Sequence, residues 1–203
     1  MHSVTEGSEE INRILVNPEP VAKRTVEGDL GVFVNAANVA ERIGWGMLSA
    51  ELGFDARDVL AAMTSEGRPF PSTQRETRLI ERLTKECVST AVSRHAGRIR
   101  HVYGPTGRTT VAEGKDLTRV KWIIGTGGAL TRLKAGPAIL SEVSGGGRRD
   151  ELYPRSARVL IDNHYIMAAC GVMGLRFPEA AVALMKDSLG LPLDMPPWQG
   201  ANY

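Results

Sequence analysis

The sequence predicts an α/β fold, a mixed or mostly parallel sheet flanked by helices, on three observations. Strand-like and helix-like segments alternate along much of the chain. The run Trp122-Ile123-Ile124-Gly125-Thr126-Gly127-Gly128-Ala129-Leu130 is an apolar strand ending in a glycine turn that opens into a helix. A long segment over 73–96 carries Leu79, Ile80, Leu83, Cys87, Val88, Ala91 and Val92 at the 3.6-residue period of an amphipathic helix. With 203 residues, 42% apolar and 24% charged, the chain can bury a sizeable core and shows no compositional sign of disorder.

The elements follow in order. Residues 1–10 are polar, and 11–21 read as extended because Pro18 and Pro20 forbid a helix there. The segment over 23–31 places a turn centred on Gly28 and Asp29 ahead of a helix over 36–52, which Gly53 closes. Asp55 is a suitable N-cap for a helix over 56–65, and Gly67-Arg68-Pro69-Phe70-Pro71 is a loop. The long helix starts at Ser72 or Thr73 and ends at Gly97. Strands are expected at 99–103, at 109–112 and, buried, at 120–124. After the glycine turn and its helix, Pro137 begins a second helical turn, and 144–150 with three consecutive glycines is a flexible surface loop. A buried strand at 159–161 ends at Asp162, a helix rich in small residues spans 164–173, and a last helix spans 178–189. The Pro-rich tail over 192–203 packs by Trp198 or is mobile.

Composition excludes several functions. The net charge is +2, with basic residues spread along the chain, so neither nucleic acid nor an anionic membrane is an expected partner. Cys87 and Cys170 sit in helical, apolar contexts that suit buried thiols in a reducing compartment. His2, His95, His101 and His164 are scattered and pair with no ligand at a metal spacing, so no metal site is expected. No signal peptide or membrane-length apolar run occurs, and the expected location is the cytoplasm.

The candidate site residues each carry two readings. Gly125, Thr126, Gly127 and Gly128 are either a plain strand-to-helix connection or a phosphate or nucleotide site, where glycines admit a ligand close to the main chain. Glu27, Gly28 and Asp29 either face a cleft or cap the following helix. Asp162 lies at a strand end, where α/β sheets bind ligands, and also suits an N-cap. Arg75, Arg78, Arg82 and Lys85 read chiefly as a solvated face. Arg94, His95, Arg98, Arg100 and His101 gather at a helix C-terminus, where cations meet the helix dipole favourably. A dinucleotide enzyme is disfavoured because the glycine turn comes late and lacks a full Gly-x-Gly-x-x-Gly.

The order of these pieces resembles the second domain of actin-like ATPases, the ribonuclease H-like superfamily of heat-shock chaperones, sugar kinases and actin. Within it, Lys23-Arg24-Thr25-Val26-Glu27-Gly28-Asp29-Leu30-Gly31, Ile123-Ile124-Gly125-Thr126-Gly127-Gly128 and Asp162-Asn163-His164-Tyr165-Ile166-Met167 resemble the GlmL/MutL family. Its members are encoded beside adenosylcobalamin-dependent carbon-skeleton mutases such as glutamate mutase and are unrelated to the mismatch-repair protein of the same name. The resemblance implies one C-terminal nucleotide-binding-type domain over 1–203, with a helical subdomain inserted at about 36–97. It implies that Gly125, Thr126, Gly127, Gly128, Ala129 and Leu130 border the adenosine of ATP or ADP, bound with Mg²⁺ in the intact protein. The implied role is an accessory or reactivating chaperone whose partner is a cobalamin-dependent mutase.

One departure limits this. The family's Asp-x-Gly-Gly-Ala-Thr-Thr-Asp phosphate loop precedes a His-Ser-Val segment, whereas this chain opens on Met1-His2-Ser3-Val4. The chain is therefore expected to be a C-terminal, truncated portion with poor ATP hydrolysis of its own, because phosphoryl transfer needs groups that hold the β- and γ-phosphates and Mg²⁺. The alternative is a non-catalytic interaction module, without nucleotide and with a tendency to homo-oligomerise.

Overall fold

The computed structural model describes residues 1–105 and 107–194. Of the expected tail, 195–203 with Trp198 lie outside the described residues. The chain begins with β1 (His2–Val4), a one-turn helix α1 (Glu9–Asn12) and β2 (Ala22–Arg24), which pairs antiparallel with β1. The helix corrects the extended reading of 11–21: the Ser8 hydroxyl accepts from the Ile11 N–H, and Glu9 and Glu10 favour the first turn. The prolines act only beyond it.

Four helices follow: α2 (Ala36–Ile43), α3 (Trp45–Leu52), α4 (Ala56–Ser65) and α5 (Gln74–His95). The single helix expected over 36–52 is broken at Gly44, whose φ of 93° lies outside helical space and turns the chain between α2 and α3. Asp55 caps α4 by accepting from the N–H groups of Arg57 and Asp58, as its type predicts. Thr73 and Glu76 form a reciprocal capping box at the start of α5. Val39, Ala40, Leu48, Ala56, Leu60, Leu79 and Leu83 close a helical core, on which Leu30, Cys87 and Ala129 also pack. The second half of α5 buries Val92 with Leu117, Val143 and Tyr153 in a separate cluster, so one long helix supports two cores.

A hairpin comes next, β3 (Arg98–Gly104) with β4 (Gly107–Glu113), in register from Arg98 opposite Glu113 to Gly104 opposite Gly107. Its base crosses closely. A Cβ at Gly97 would lie 2.6 Å from the Glu113 carbonyl oxygen and 2.7 Å from the Gly114 carbonyl carbon, so only glycine fits. Then come β5 (Trp122–Gly125), α6 (Gly128–Arg132), α7 (Gly136–Ser141), β6 (Arg158–Ile161), α8 (Met167–Met173) and α9 (Pro178–Ser188). Strands β5 and β6 pair in parallel, with Gly125 opposite Ile161.

The architecture is mixed α/β, but the expected single sheet is three two-stranded ladders. An isolated bridge from Leu15 to Ala112 ties the segment between β1 and β2 to β4, and one from Ala96 to Lys115 lies just beyond the base of the β3–β4 hairpin, past Gly114 (φ 83°), which turns the chain out of strand geometry directly after β4. The parallel pair is also less buried than expected: Ile124 is exposed and all of β6 keeps some exposure. The helix expected from 164 starts at Met167, because 162–166 form a turn in which Tyr165 takes φ 55°.

Candidate functional site

Each glycine of the turn has a different surrounding. A Cβ at Gly125 would run into the side chains of Leu140 and Ile161, so this residue keeps the strand end tight against the α7 and β6 side chains. Gly127 takes φ 97° and ψ 150°, which L-residues avoid, and its Cβ position has no atom within 4 Å. At Gly128 that position meets the Phe70 ring at 3.4 Å. The Gly127 carbonyl closes the first turn of α6 by accepting from the N–H groups of Leu130 and Thr131, both at 3.0 Å. Gly125 is thus packed, Gly127 open and Gly128 covered by a ring from a distant loop.

Thr126 and Asp162, read separately in the sequence, meet here. The Thr126 hydroxyl donates to Asp162 Oδ2 at 2.9 Å, across the carboxyl ends of the two parallel strands. Asp162 is fully buried and accepts three further bonds, from Ser188 Oγ (2.5 Å), the Ile166 N–H (3.1 Å) and the Met167 N–H (2.9 Å). Burial opposes its charge, yet these donors outweigh it and hold the carboxyl below its usual range. Every acceptor direction is used, so Asp162 ties the turn to the start of α8 and the end of α9. This is the capping role, with the helix start displaced three residues from the expected position, from 164 to Met167.

The acidic turn has a cationic partner. Arg94 forms a fork on Asp29 (2.7 Å to each oxygen) and also reaches Glu27 at 2.5 Å. That pairing, foremost, lowers the Asp29 carboxyl to about 2. Gly28 has nothing within 4 Å of its Cβ position. Glu27, Leu30 and Gly31 line an open cavity of about 560 Å³ with Cys87, Val88 and Ala91. A second cavity, of about 300 Å³, lies between α5 and α7 and includes Lys85, Ser89, Glu142 and Tyr153. Residues 125–130 line neither.

The basic cluster disperses into separate partnerships. Arg98 pairs with Glu151, Arg100 with Glu113, and His101 meets Thr110 and Arg108. His95 is buried between the hydroxyls of Ser3 (2.7 Å) and Thr25 (3.0 Å), and burial followed by the charge of Lys23 depresses its pKa. Of the polar positions on α5, Arg82 pairs with Glu51 and Glu86, Lys85 pairs with Glu142, and the guanidinium groups of Arg75 and Arg78 lie over Phe54.

Two adjacent buried charges escaped the sequence reading. Lys115 Nζ donates to the carbonyls of Thr5 (2.7 Å), Pro20 (2.5 Å) and Val21 (3.1 Å). Asp116 accepts from both the N–H and hydroxyl of Ser8 and of Thr118. Together they strap the N-terminal segment to the body of the fold. The Asp116–Thr118 contact is local, but the partners that make the strap, Thr5, Ser8, Pro20 and Val21, lie about a hundred residues away, so no local pattern announces it. Among the described residues, no three His, Cys, Asp or Glu side chains converge to hold a metal ion, and no helix is long and apolar enough to cross a membrane.

Fold and turn together define a mixed α/β protein with a glycine turn at the carboxyl end of a parallel strand pair. A family model described as "MutL protein" matches residues 1–189. The chain is also 33% identical over 201 residues to "Protein MutL" of Clostridium tetanomorphum, an alignment covering 93% of this chain and 42% of that protein. The chain belongs to the MutL family, the one associated with glutamate mutase and not the mismatch-repair protein. It spans about two-fifths of the length of that relative. No solved structure matches it.

Proposed function

We propose that this chain is the adenosine-side part of an actin-like ATPase, and that the intact protein is an accessory, reactivating chaperone of a cobalamin-dependent mutase. The observation that carries the nucleotide reading is the open, positive-φ Gly127 beside a Thr126 pinned to Asp162 at the carboxyl ends of parallel strands. Ligands of α/β proteins gather at such ends, and a glycine with free space above it admits a nucleoside to the backbone. The chain's own contribution is to bind and orient. Gly125, Thr126, Gly127, Gly128, Ala129 and Leu130 border the adenosine, and Asp162 holds their turn without touching the ligand. The helices over 36–97 act as a subdomain inserted in a domain of nucleotide-binding type.

Phosphoryl transfer by this chain alone is not part of the proposal. The Gly-Gly-Ala-Thr-Thr-Asp loop is absent from these 203 residues, and among the described ones no three His, Cys, Asp or Glu side chains converge. In the intact protein, nucleotide state would set how two domains close and so the affinity for the mutase. Calorimetric titration with ADP tests the binding step. Wild-type chain should bind and Gly127→Asp should not, although the variant still folds by circular dichroism, its backbone strain costing roughly 1–3 kcal/mol. Silence from the wild type, or equal binding by the variant, refutes the reading.

A second reading, a self-associating module without nucleotide, is favoured by one observation. Val172, Leu175, Phe177, Val182 and Leu184 leave α8, α9 and their connection with exposed apolar side chains. A stable dimer by sedimentation, together with no ADP binding, would select it.

A further inference from the structure

We infer that Phe70 is the residue on which the nucleobase stacks, an assignment that rests on the nucleotide reading of the Gly125–Gly128 turn. Phe70 lies 58 positions before Gly128 in the sequence, in the loop between α4 and α5, yet its ring edge sits 3.4 Å from where a Gly128 Cβ would be. A Cβ at 128 would rest in ordinary van der Waals contact with the ring edge, so the loop packs directly on the glycine turn. The guanidinium of Arg132, at the end of α6, lies over the same ring at 5.0 Å from its centroid. Even so, Phe70 remains 48% exposed. An aromatic ring backed by a cation and open to solvent beside a glycine turn offers a planar surface to a planar ligand.

The loop is built to hold that ring in place. Pro69 and Pro71 flank Phe70 and restrict the backbone on both sides. Arg68 grips the buried Glu76 through two bonds (2.9 and 3.1 Å) and also binds Ser72 and Glu66. Glu76 in turn accepts from the N–H groups of Ser72 and Thr73. Both ends of the five-residue segment around Phe70 are therefore fastened to the start of α5. A hydrophobic residue with only a packing role would gain little from this anchoring while half its surface stayed in water.

The test uses the 203-residue chain and ADP, read by calorimetry. Wild type and Phe70→Tyr should bind alike, whereas Phe70→Leu and Phe70→Ala should bind roughly ten- to a hundredfold more weakly, the span expected for loss of one base–aromatic stack. In Phe70→Trp, ADP should quench a fluorescence component that wild type lacks. Equal affinity of wild type and Phe70→Leu overturns the stacking assignment and leaves the nucleotide reading standing. Failure of wild type to bind ADP overturns both. Because Phe70 is half exposed, its replacements should fold, and unchanged urea midpoints verify that they do.

Discussion

Replacing Asp162 by alanine removes one acceptor group that four donors share inside the fold. Two of these donors, the Ile166 and Met167 N–H groups, are fixed by the backbone, whereas the Thr126 and Ser188 hydroxyls can rotate towards other acceptors. A buried donor left without a partner costs about 1–3 kcal/mol. The two fixed groups, partly relieved by water entering the vacated space, bring the expected loss to about 3–4 kcal/mol. It should concentrate in α8 and α9, whose tie to the glycine turn runs through this carboxylate. Native-state hydrogen exchange would show α8 and α9 amides losing that much protection while the central turns of α5 change less. Asp162→Asn should lose about half as much, since its amide still accepts from two donors. Acid dependence has a definite sign. The folded carboxyl titrates below its usual value, so its stabilisation is full above about pH 4 and is lost as pH falls through the lower folded pKa. A loss below about 1 kcal/mol in Asp162→Ala would refute the argument that this residue fastens the turn.

Three further outcomes are expected. Gly97→Ala should destabilise by about 2–4 kcal/mol in urea titrations, because its Cβ meets the backbone of Glu113 and Gly114 and no flexible side chain can yield; a loss under 1 kcal/mol would contradict the close crossing. Lys115→Met leaves the carbonyls of Thr5, Pro20 and Val21 without their shared donor, and proteolysis should then cut within 1–25 faster than elsewhere. For His95, the folded pKa lies below the ordinary 6.5. The unfolded chain therefore binds the proton first, and stability should fall as pH drops from about 6.5 through the lower folded pKa. His95→Asn should flatten the slope between pH 7.5 and 5.5, and parallel slopes would rule out this histidine as its source. Ser3 and Thr25 face the ring, with the charges of Lys23, Lys115, Glu19 and the Met1 amino group around it.

Local chemistry made much of the fold legible. The Asp55 cap, the box at Thr73, the long period of α5, Gly53 at φ 76° and the final helix starting at Pro178 all rest on neighbours within a few residues. Errors arose where one residue overrides a favourable run, as Gly44 does inside an otherwise helical pattern, or where a side chain reaches forward, as Asp162 does to delay α8. Strand pairing was the least legible. Alternation and apolarity mark strands but do not say that β1–β2, β3–β4 and β5–β6 stay separate ladders. At the site, the turn and Asp162 were both visible in sequence, and their hydrogen bond was not. Arg94 read as a dipole partner because the acidic turn it grips lies 65 residues earlier. Phe70 read as plain loop for the same reason: its nearness to Gly128 is a property of the tertiary fold alone.

The central claim is that residues 125–130 border a bound nucleoside. Amide chemical-shift mapping of ¹⁵N-labelled chain during ADP titration tests it most directly. The account predicts saturable shifts at Gly125, Thr126, Gly127, Gly128 and Ala129, with Phe70 and Arg132 following at the same concentrations. Shifts confined to the α5–α7 cavity around Lys85, Ser89 and Tyr153, or no shifts anywhere, would contradict it.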